Sequence, residues 1–419
     1  MTARIASTTN APERRTPARL PGLEAAAWRA ALAMASRIRI GCLAVVEPDG
    51  RRHVYGDESS DLKAEIHVHD RAAARRITLH GDTGAGESYM DGQWSSPDLA
   101  ALLTLAALNF ESMKLAEGPL HRITQLPRTL LHRSRRNTVS GSSRNIAAHY
   151  DLGNDFYRLF LDETMTYSSA VFESQDQPLA EAQRNKYRHM AEGAGLRAGM
   201  HVLEIGSGWG GFAIYAAGEL GCRVTSVTIS KAQQDLAVER VRAAGLQDLV
   251  EIQLRDYREI EGTYDAIVSI EMLEAVGAEY YETFFAACDR ALRPGGRLSL
   301  QTIAFPDVAY ERQRRGANWI QLYIFPGGLL PSLSVIERSL HKTRLLVSGV
   351  TDIAPSYVRT LHEWRSRFMG NLEAVRAQGF DERFTRMWEY YLAISEAGFA
   401  TGLTQDFQLV LEKKRGLSA

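Results

Sequence analysis

The residues with the clearest chemical potential are Val202-Leu-Glu-Ile-Gly-Ser-Gly-Trp-Gly-Gly211, an acid followed by alternating glycines at the end of an apolar run. Residues 201–205 read as a short buried strand and 212–219 as a helix, so Gly206, Gly208 and Gly210 fall in the turn between them. Without Cβ atoms, such a turn can bend sharply and bring backbone N–H groups up to a nucleotide-like ligand. Glycine turns also mark dinucleotide sites, but Glu204, two residues ahead of the first glycine, narrows the pattern to E-x-G-x-G-x-G. The next strand, 223–229, ends in Thr228, Ile229 and Ser230. It lacks the acid that a dinucleotide fold sets against ribose hydroxyls. Thr228 and Ser230 are also suited to capping the following helix, which contributes about 1 kcal/mol. In open α/β sheets ligands lie beyond the carboxyl ends of the strands. That rule gathers 204–210, 228–233, 256–258, 271–277 and 301–303, the last two being where a substrate would meet the reacting group.

A doubly wound sheet is needed to position these stretches. Strands are expected at 201–205, 223–229, 250–255, 264–270 and 297–302, with helices between most of them and Arg293-Pro-Gly-Gly296 as the loop before the fifth. Residues 345–352 and 406–413 can add two more strands. The fold class is α/β, with a Rossmann-like, mostly parallel seven-stranded sheet over 146–419 and an insertion at about 305–357. Residues 21–120 read as a smaller α+β unit, with helices at 24–38 and 98–115 and strands at 43–47 and 64–68. Residues 1–20 lack an apolar stretch and read as a disordered leader rather than a secretory signal or transit peptide. Between 121 and 145 there are Arg122, Arg128, Arg133, Arg135, Arg136 and Arg144 but no acid. That is a basic linker able to meet anionic phosphates or a membrane surface.

Composition sets wider limits. With 419 residues, 45% hydrophobic, 24% charged and a net charge of −1, the chain has the make-up of a soluble globular protein. It is not a strongly basic nucleic-acid binder, and no nucleic-acid partner is expected. Cys42, Cys222 and Cys288 are scattered without metal-ligand spacing. A reducing compartment follows, with neither a disulfide framework nor a metal site. The longest apolar run, 99–110, is too short to span a bilayer and reads as a core helix. The expected location is cytoplasmic.

The pattern E-x-G-x-G-x-G resembles the first motif of class I S-adenosylmethionine (SAM) methyltransferases. Three further segments sharpen the resemblance: Asn145-Ile-Ala-Ala-His-Tyr-Asp-Leu-Gly-Asn-Asp-Phe-Tyr157, Met165-Thr-Tyr-Ser-Ser-Ala170 and Trp319-Ile-Gln-Leu-Tyr-Ile-Phe-Pro-Gly-Gly328. With Glu274-Ala-Val-Gly277 they resemble the cyclopropane fatty acid synthase family, including the mycolic acid cyclopropane synthases. The likeness runs from about 145 to the C-terminus. The first 120 residues look, less distinctly, like the amino-terminal domain of the phospholipid-acting members.

The resemblance implies SAM as cofactor. Tyr167 and Ser168 match the pair that closes over it, Glu204, Gly206, Gly208 and Gly210 its glycine motif, Thr228, Ile229 and Gln233 its ribose and adenosine contacts, and Tyr257 and Arg258 its adenine edge. It also implies a chemistry: a cis alkene attacks the sulfonium methyl, forms a carbocation, and then loses a proton to a base. In cyclopropane-forming members that base is thought to be bicarbonate, held by Cys, Glu, His and Tyr side chains and an Ile backbone. The matching residues here are Ser169, Glu274, Gln301, Tyr357 and Ile303. Ser stands for Cys and Gln for His, and Ala275 follows the Glu where many relatives carry His. Ser and Gln still donate hydrogen bonds to an oxyanion, so bicarbonate stays as an expected second cofactor. Gln does not titrate. These departures favour a branch making methylene- or methyl-branched chains, or precursors of furan fatty acids, over cyclopropanes.

Tyr157, Trp319, Tyr323 and Phe325 are candidates to line a slot that favours the cation, or else pack the core. Arg312, Arg314 and Arg315 beside Trp319 are candidates for headgroup contact. The expected partners are unsaturated phospholipid acyl chains at the inner membrane face, with room for a homodimer and a partner reductase. Two other readings stand beside this one. They are a small-molecule N- or O-methyltransferase and a catalytically silent lipid carrier.

Overall fold

The structure is a computed structural model, and it describes residues 21–113, 152–314 and 316–415. The expected leader, the basic linker, residues 145–151 of the first family motif and Arg315 lie outside the described residues.

The amino-terminal unit begins with helix α1 (Pro21–Ala35), followed by strands β1 (Cys42–Val46), β2 (Arg52–Gly56) and β3 (Lys63–Val68). Helix α2 (Ala72–Met90), β4 (Trp94–Ser95), α3 (Leu99–Leu108) and α4 (Phe110–Met113) complete it. Its four strands lie in the order β2-β1-β3-β4. Strand β2 and helix α2 were not anticipated. The strand is half-exposed and so lacks an apolar run, and α2 is kinked at Gly81 (φ 57°) and holds further glycines at 84 and 86. The helix expected over 98–115 breaks at Asn109. There the side-chain amide donates to Ile40 O at 2.8 Å and accepts from Arg39 N at 2.8 Å, tying the break to the loop before β1. Asp98 caps α3 by accepting from Ala101 N at 3.0 Å.

The larger unit starts with the short helix α5 (Asn154–Arg158) and α6 (Leu179–Ala194). Leu179, Ala182, Gln183, Lys186, Tyr187, Met190, Ala191 and Ala194 form the buried face of α6 at helical spacing, and Gly195 ends it in the left-handed conformation. Next come β5 (His201–Ile205), α7 (Gly211–Gly218), β6 (Arg223–Thr228), α8 (Lys231–Ala243), β7 (Val250–Leu254), β8 (Tyr264–Ile270), α9 (Tyr281–Ala291) and β9 (Leu292–Ala304). The insertion holds three short helices, α10 (Asp307–Gln313), α11 (Trp319–Tyr323) and α12 (Leu333–Ser339), and then strand β10 (Leu345–Asp352). Helices α13 (Ala354–Gly370), α14 (Leu372–Ala377) and α15 (Glu382–Ala400) lead to β11 (Gln405–Lys413).

These strands form one seven-stranded sheet in the order β10-β11-β9-β8-β5-β6-β7, with only β11 running against its neighbours. The α/β class with a mostly parallel seven-stranded sheet is thus observed. Arg293-Pro-Gly-Gly296, expected as a loop ahead of the fifth strand, is instead a bulge inside β9. Leu292 pairs with Tyr264, and pairing resumes with Arg297 opposite Ala266.

One core lies between β9, β8 and α9, and another between α6, α7 and the central strands. A third runs from the amino-terminal unit into α13 and α15. At that junction the Arg386 guanidinium donates to Tyr89 O and Trp94 O, each at 2.6 Å, and the Tyr89 hydroxyl donates to Glu389 at 2.5 Å.

Candidate functional site

The glycine turn leads from β5 into α7 as expected. Gly206, Gly208 and Gly210 have φ values of 98°, 48° and 82°, in the region that disfavours L side chains. A Cβ on Gly206 would press on Met272 at 3.1 Å and one on Gly210 on Ala237 at 3.2 Å, whereas one on Gly208 would meet nothing within 4 Å. The turn is therefore packed from beneath and open at its centre, a cradle that a ligand can fill. No side chain caps α7, so its first N–H groups face the cradle uncapped.

Glu204 lies beneath the turn. Its carboxylate is 2.5 Å from the Ser226 hydroxyl, which is also 2.6 Å from Ser207 Oγ, so β5, β6 and the turn are locked together. Burial pushes the Glu204 carboxyl up to about 8. At the end of β6, Ser230 is the cap of α8, accepting from Gln233 N at 3.3 Å. Thr228 instead donates to Gln233 Oε1 at 2.9 Å, leaving the Gln233 amide as a donor beside the turn. Ile229 lies between them in the same loop. Arg258 is held by both oxygens of Asp256, at 2.7 and 2.6 Å, and its guanidinium sits over Tyr257 and Tyr280. Tyr257 is buried against Phe284, and its hydroxyl has no hydrogen-bond partner.

The loop ahead of α6 brings Tyr167, Ser168 and Ser169 to the carboxyl edge of the sheet. The Tyr167 hydroxyl is 2.8 Å from that of Tyr391 on α15, and its ring packs on Trp364. The Ser168 hydroxyl accepts from Lys186 Nζ at 2.7 Å. Lys186 is fully buried, and burial brings its ammonium down to about 8 against the pull of Glu271, Asp162, Asp406 and Glu204.

Three of the five expected catalytic residues converge on a residue absent from that set, Glu271. Ser169 N and Gln301 Nε2 each donate to Glu271 Oε1 at 2.8 Å, and the Tyr357 hydroxyl donates to Oε2 at 2.7 Å. Ser169 thus contributes its backbone N–H, because its hydroxyl donates to Ala170 O at 2.9 Å. The Gln301 amide is oriented from behind, where Gln408 Nε2 donates to Gln301 Oε1 at 3.0 Å. The other two expected residues pair with each other, Ile303 N and the Thr302 hydroxyl both donating to Glu274 Oε1. Glu274 Oε2 has no partner. Burial pushes Glu274 up to about 8, with the Glu271 charge adding to it. Burial also raises Glu271, opposed by Lys186 and by its three donors, and raises Asp406 on β11 well above the usual carboxylate range. The signal that could have revealed Glu271 is the spacing Glu271-Met-Leu-Glu274 directly after an apolar strand, two acids where the expected site needed one.

Of the candidate slot aromatics, Trp319 and Tyr323 are used at the junction of the two units, whereas Tyr157 and Phe325 lie near Tyr167 and its partner Tyr391. Trp319 is buried at the junction of the two units, stacked on Tyr323 and packed edge-on against Tyr390, while the Tyr323 hydroxyl donates to Glu87. Tyr157 is fully buried between Trp209 and Tyr167. Phe325 remains beside Tyr391, 5.9 Å between centroids. Burial of Trp319 also removes it as a headgroup contact for Arg312, which lies over Phe110 and near Glu111. Among the described residues no helix is long and apolar enough to cross a membrane.

Residues 138–409 match the family described as mycolic acid cyclopropane synthetase. The chain is 44% identical over 375 residues to the tuberculostearic acid methyltransferase UfaA1 of Mycobacterium tuberculosis, covering 86% of this chain and 87% of that protein. It is 35% identical over 360 residues to the cyclopropane-fatty-acyl-phospholipid synthase of Escherichia coli, covering 84% and 88%. Among solved structures, the cyclopropane synthase MmaA2 from Mycobacterium tuberculosis superposes with a TM-score of 0.61 at 30% identity, over 65% of this chain and 98% of that one. The mycolic acid cyclopropane synthase CmaA1, solved with S-adenosylhomocysteine (SAH), gives the same score, identity and coverage. The glycine cradle, the carboxylate site beside it and these likenesses agree: the chain belongs to the mycolic acid cyclopropane synthetase family and is a SAM-dependent methyltransferase.

Proposed function

We propose that this enzyme transfers the methyl group of SAM to the cis double bond of an unsaturated acyl chain in a phospholipid, and that its main product is an open-chain methylene-branched fatty acid rather than a cyclopropane. The observation that carries the reading is the site around Glu271. It places buried carboxylates beside the glycine cradle and, among the described residues, brings no histidine to them, which suits a substrate that needs a base only after methyl transfer. The activities for which the relatives are named, tuberculostearic acid methyltransferase and cyclopropane-fatty-acyl-phospholipid synthase, support a lipid acyl substrate.

Bound SAM supplies an electrophilic methyl on a sulfonium. Gly206, Gly208, Thr228 and Gln233 are the residues that would hold it, with Tyr167 and Ser168 closing over it. The chain's own task is then to exclude water from a short-lived cation and to take one proton from a defined place. Buried rings around Tyr167, including Tyr157, Phe160 and Trp364, make its inner wall apolar. A resident base whose position differs by about an ångström between homologues is enough to change which proton leaves, given how steeply such steps depend on geometry. Reduction of a methylene to a methyl branch needs a hydride donor, a task for a separate reductase. The lipid is reached by peripheral contact with a membrane surface.

The test is mass spectrometry of fatty acid methyl esters after incubation with SAM and vesicles of cis-unsaturated phospholipid. A gain of one CH2 is expected, with chromatography showing chiefly an exocyclic methylene. A cyclopropane as the main product would overturn the open-chain assignment, and no mass gain would overturn the lipid substrate.

A further inference from the structure

The bicarbonate that the family resemblance implies does not fit this site. Of the five groups expected to hold it, Ser169, Gln301 and Tyr357 already donate to the Glu271 carboxylate, and Ile303 N–H already donates to Glu274. A second anion would find these donors engaged, and it would sit beside the Glu271 carboxylate in a poorly solvated space where like charges repel strongly.

We infer that Glu271 is itself the proton acceptor of the reaction, a protein carboxylate standing where a diffusible anion would otherwise be bound. The inference rests on the proposed lipid methylation. Two independent observations carry it. The first is the geometry: three donors from three separate elements, the loop before α6, strand β9 and helix α13, meet the two oxygens of one carboxylate at 2.7 to 2.8 Å. Asp406 hydrogen-bonds to the same carboxylate, so the chain's own groups fill the surroundings of Glu271 that an external anion would need. The second is the backbone. Glu271 is one of two non-glycine residues with positive φ among the described residues, at 48°. A left-handed conformation costs an L residue roughly 1–2 kcal/mol, and such outliers are found where the side chain is needed. The titratable groups that face Glu271 are Lys186 from α6, Glu274 from the same loop, Asp406 from β11 and Tyr357 from α13.

The alkene π pair forms a C–C bond to the methyl carbon while the sulfonium C–S bond breaks, leaving neutral SAH and a cation on the adjacent carbon. A 1,2-hydride shift moves the cation to the methylated carbon. Glu271 takes a proton from the methyl group, and that C–H pair becomes the C=C bond of the exocyclic methylene. Glu271 ends as the neutral acid and returns its proton to solvent between turnovers.

The experiment compares wild type, Glu271→Gly and Glu271→Gln in buffer freed of carbon dioxide, with and without added 13C-bicarbonate. It reads turnover by mass spectrometry, bicarbonate binding by 13C NMR line broadening, and SAM binding as a check on folding. Wild type is expected to turn over equally with and without bicarbonate and to leave the label sharp. Glu271→Gly, which frees the three donors and relaxes the backbone, should lose about 100-fold or more in turnover, broaden the label and regain activity when bicarbonate is added. Glu271→Gln, whose amide still fills the site, should be equally slow and show no rescue. Bicarbonate binding or dependence in wild type would overturn the inference, as would near-normal turnover of either variant without bicarbonate. Should wild type leave every lipid unmodified, the substrate assignment falls, while the NMR comparison still decides whether Glu271 occupies the anion site.

Discussion

Lys186 carries a positive charge into a space crowded with acids, and it has the strongest charge effect on Glu271, holding that carboxyl below where burial alone would put it. Replacing it with Met, of similar length and no charge, raises Glu271 further. Turnover that requires ionised Glu271 should then need a higher pH, and the acid limb of the kcat–pH profile should move up by about one unit. An unmoved limb would separate Lys186 from the reacting carboxylate. Glu274 offers a different test. Its Oε1 is anchored by Thr302 and Ile303 while Oε2 is unsatisfied. Glu274→Gln should lower turnover by about 100-fold while leaving SAM affinity within about twofold, and equal losses in both would mark it as structural. Glu274 was legible from its match to the anion-site glutamate of the family that the sequence resembles. Glu271 was legible only as the first of two acids in the stretch 271–277, because its role is set by partners 102, 30 and 86 residues away in the chain.

Among the elements, the strands under the cradle were legible because buried parallel strands read as short apolar runs closed by turn residues. The bulge in β9 was not, since Pro-Gly-Gly has the composition of a loop and only pairing with β8 on either side of it keeps it inside a strand. Helix α2 escaped notice for a related reason. Its glycines weaken helical propensity, yet one of them has a clear use. A Cβ on Gly86 would fall on the indole ring of Trp319, well inside contact distance, so only glycine lets α2 lie against α11. Because Trp319 is itself wedged between Tyr323 and Tyr390, Gly86→Ala should cost about 1–3 kcal/mol. A shift of the urea midpoint toward lower concentration, with faster proteolysis between the two units, would show it. An unchanged midpoint would mean that the junction repacks freely.

At the scale of the whole molecule, the docking of the amino-terminal unit onto α15 was invisible in the sequence, because Arg386 and Glu389 look like ordinary surface charges until Tyr89 and Trp94 meet them. The molecule also has an unusual acid–base balance, since burial holds both Glu204 and Glu274 near 8. The folded chain keeps protons that the unfolded chain releases above about 4.5. This contribution to stability is therefore complete below that pH, shrinks as pH rises through about 8, and is flat beyond. Melting temperature should fall over that window more than the surface charges account for. In Glu204→Gln, where nothing titrates at that position, the fall should be shallower. An identical slope in the variant would place the effect elsewhere.

The left-handed backbone at Glu271 has a practical consequence for anyone breeding this enzyme for robustness. Glycine at that position would relieve the conformational strain and remove a poorly solvated acid, so a screen that scores only survival of heating should enrich Glu271→Gly, and its survivors should be sturdier proteins that have stopped working. Stability and activity pull in opposite directions at this residue. A selection that assays product after the heat step is the one expected to keep the glutamate.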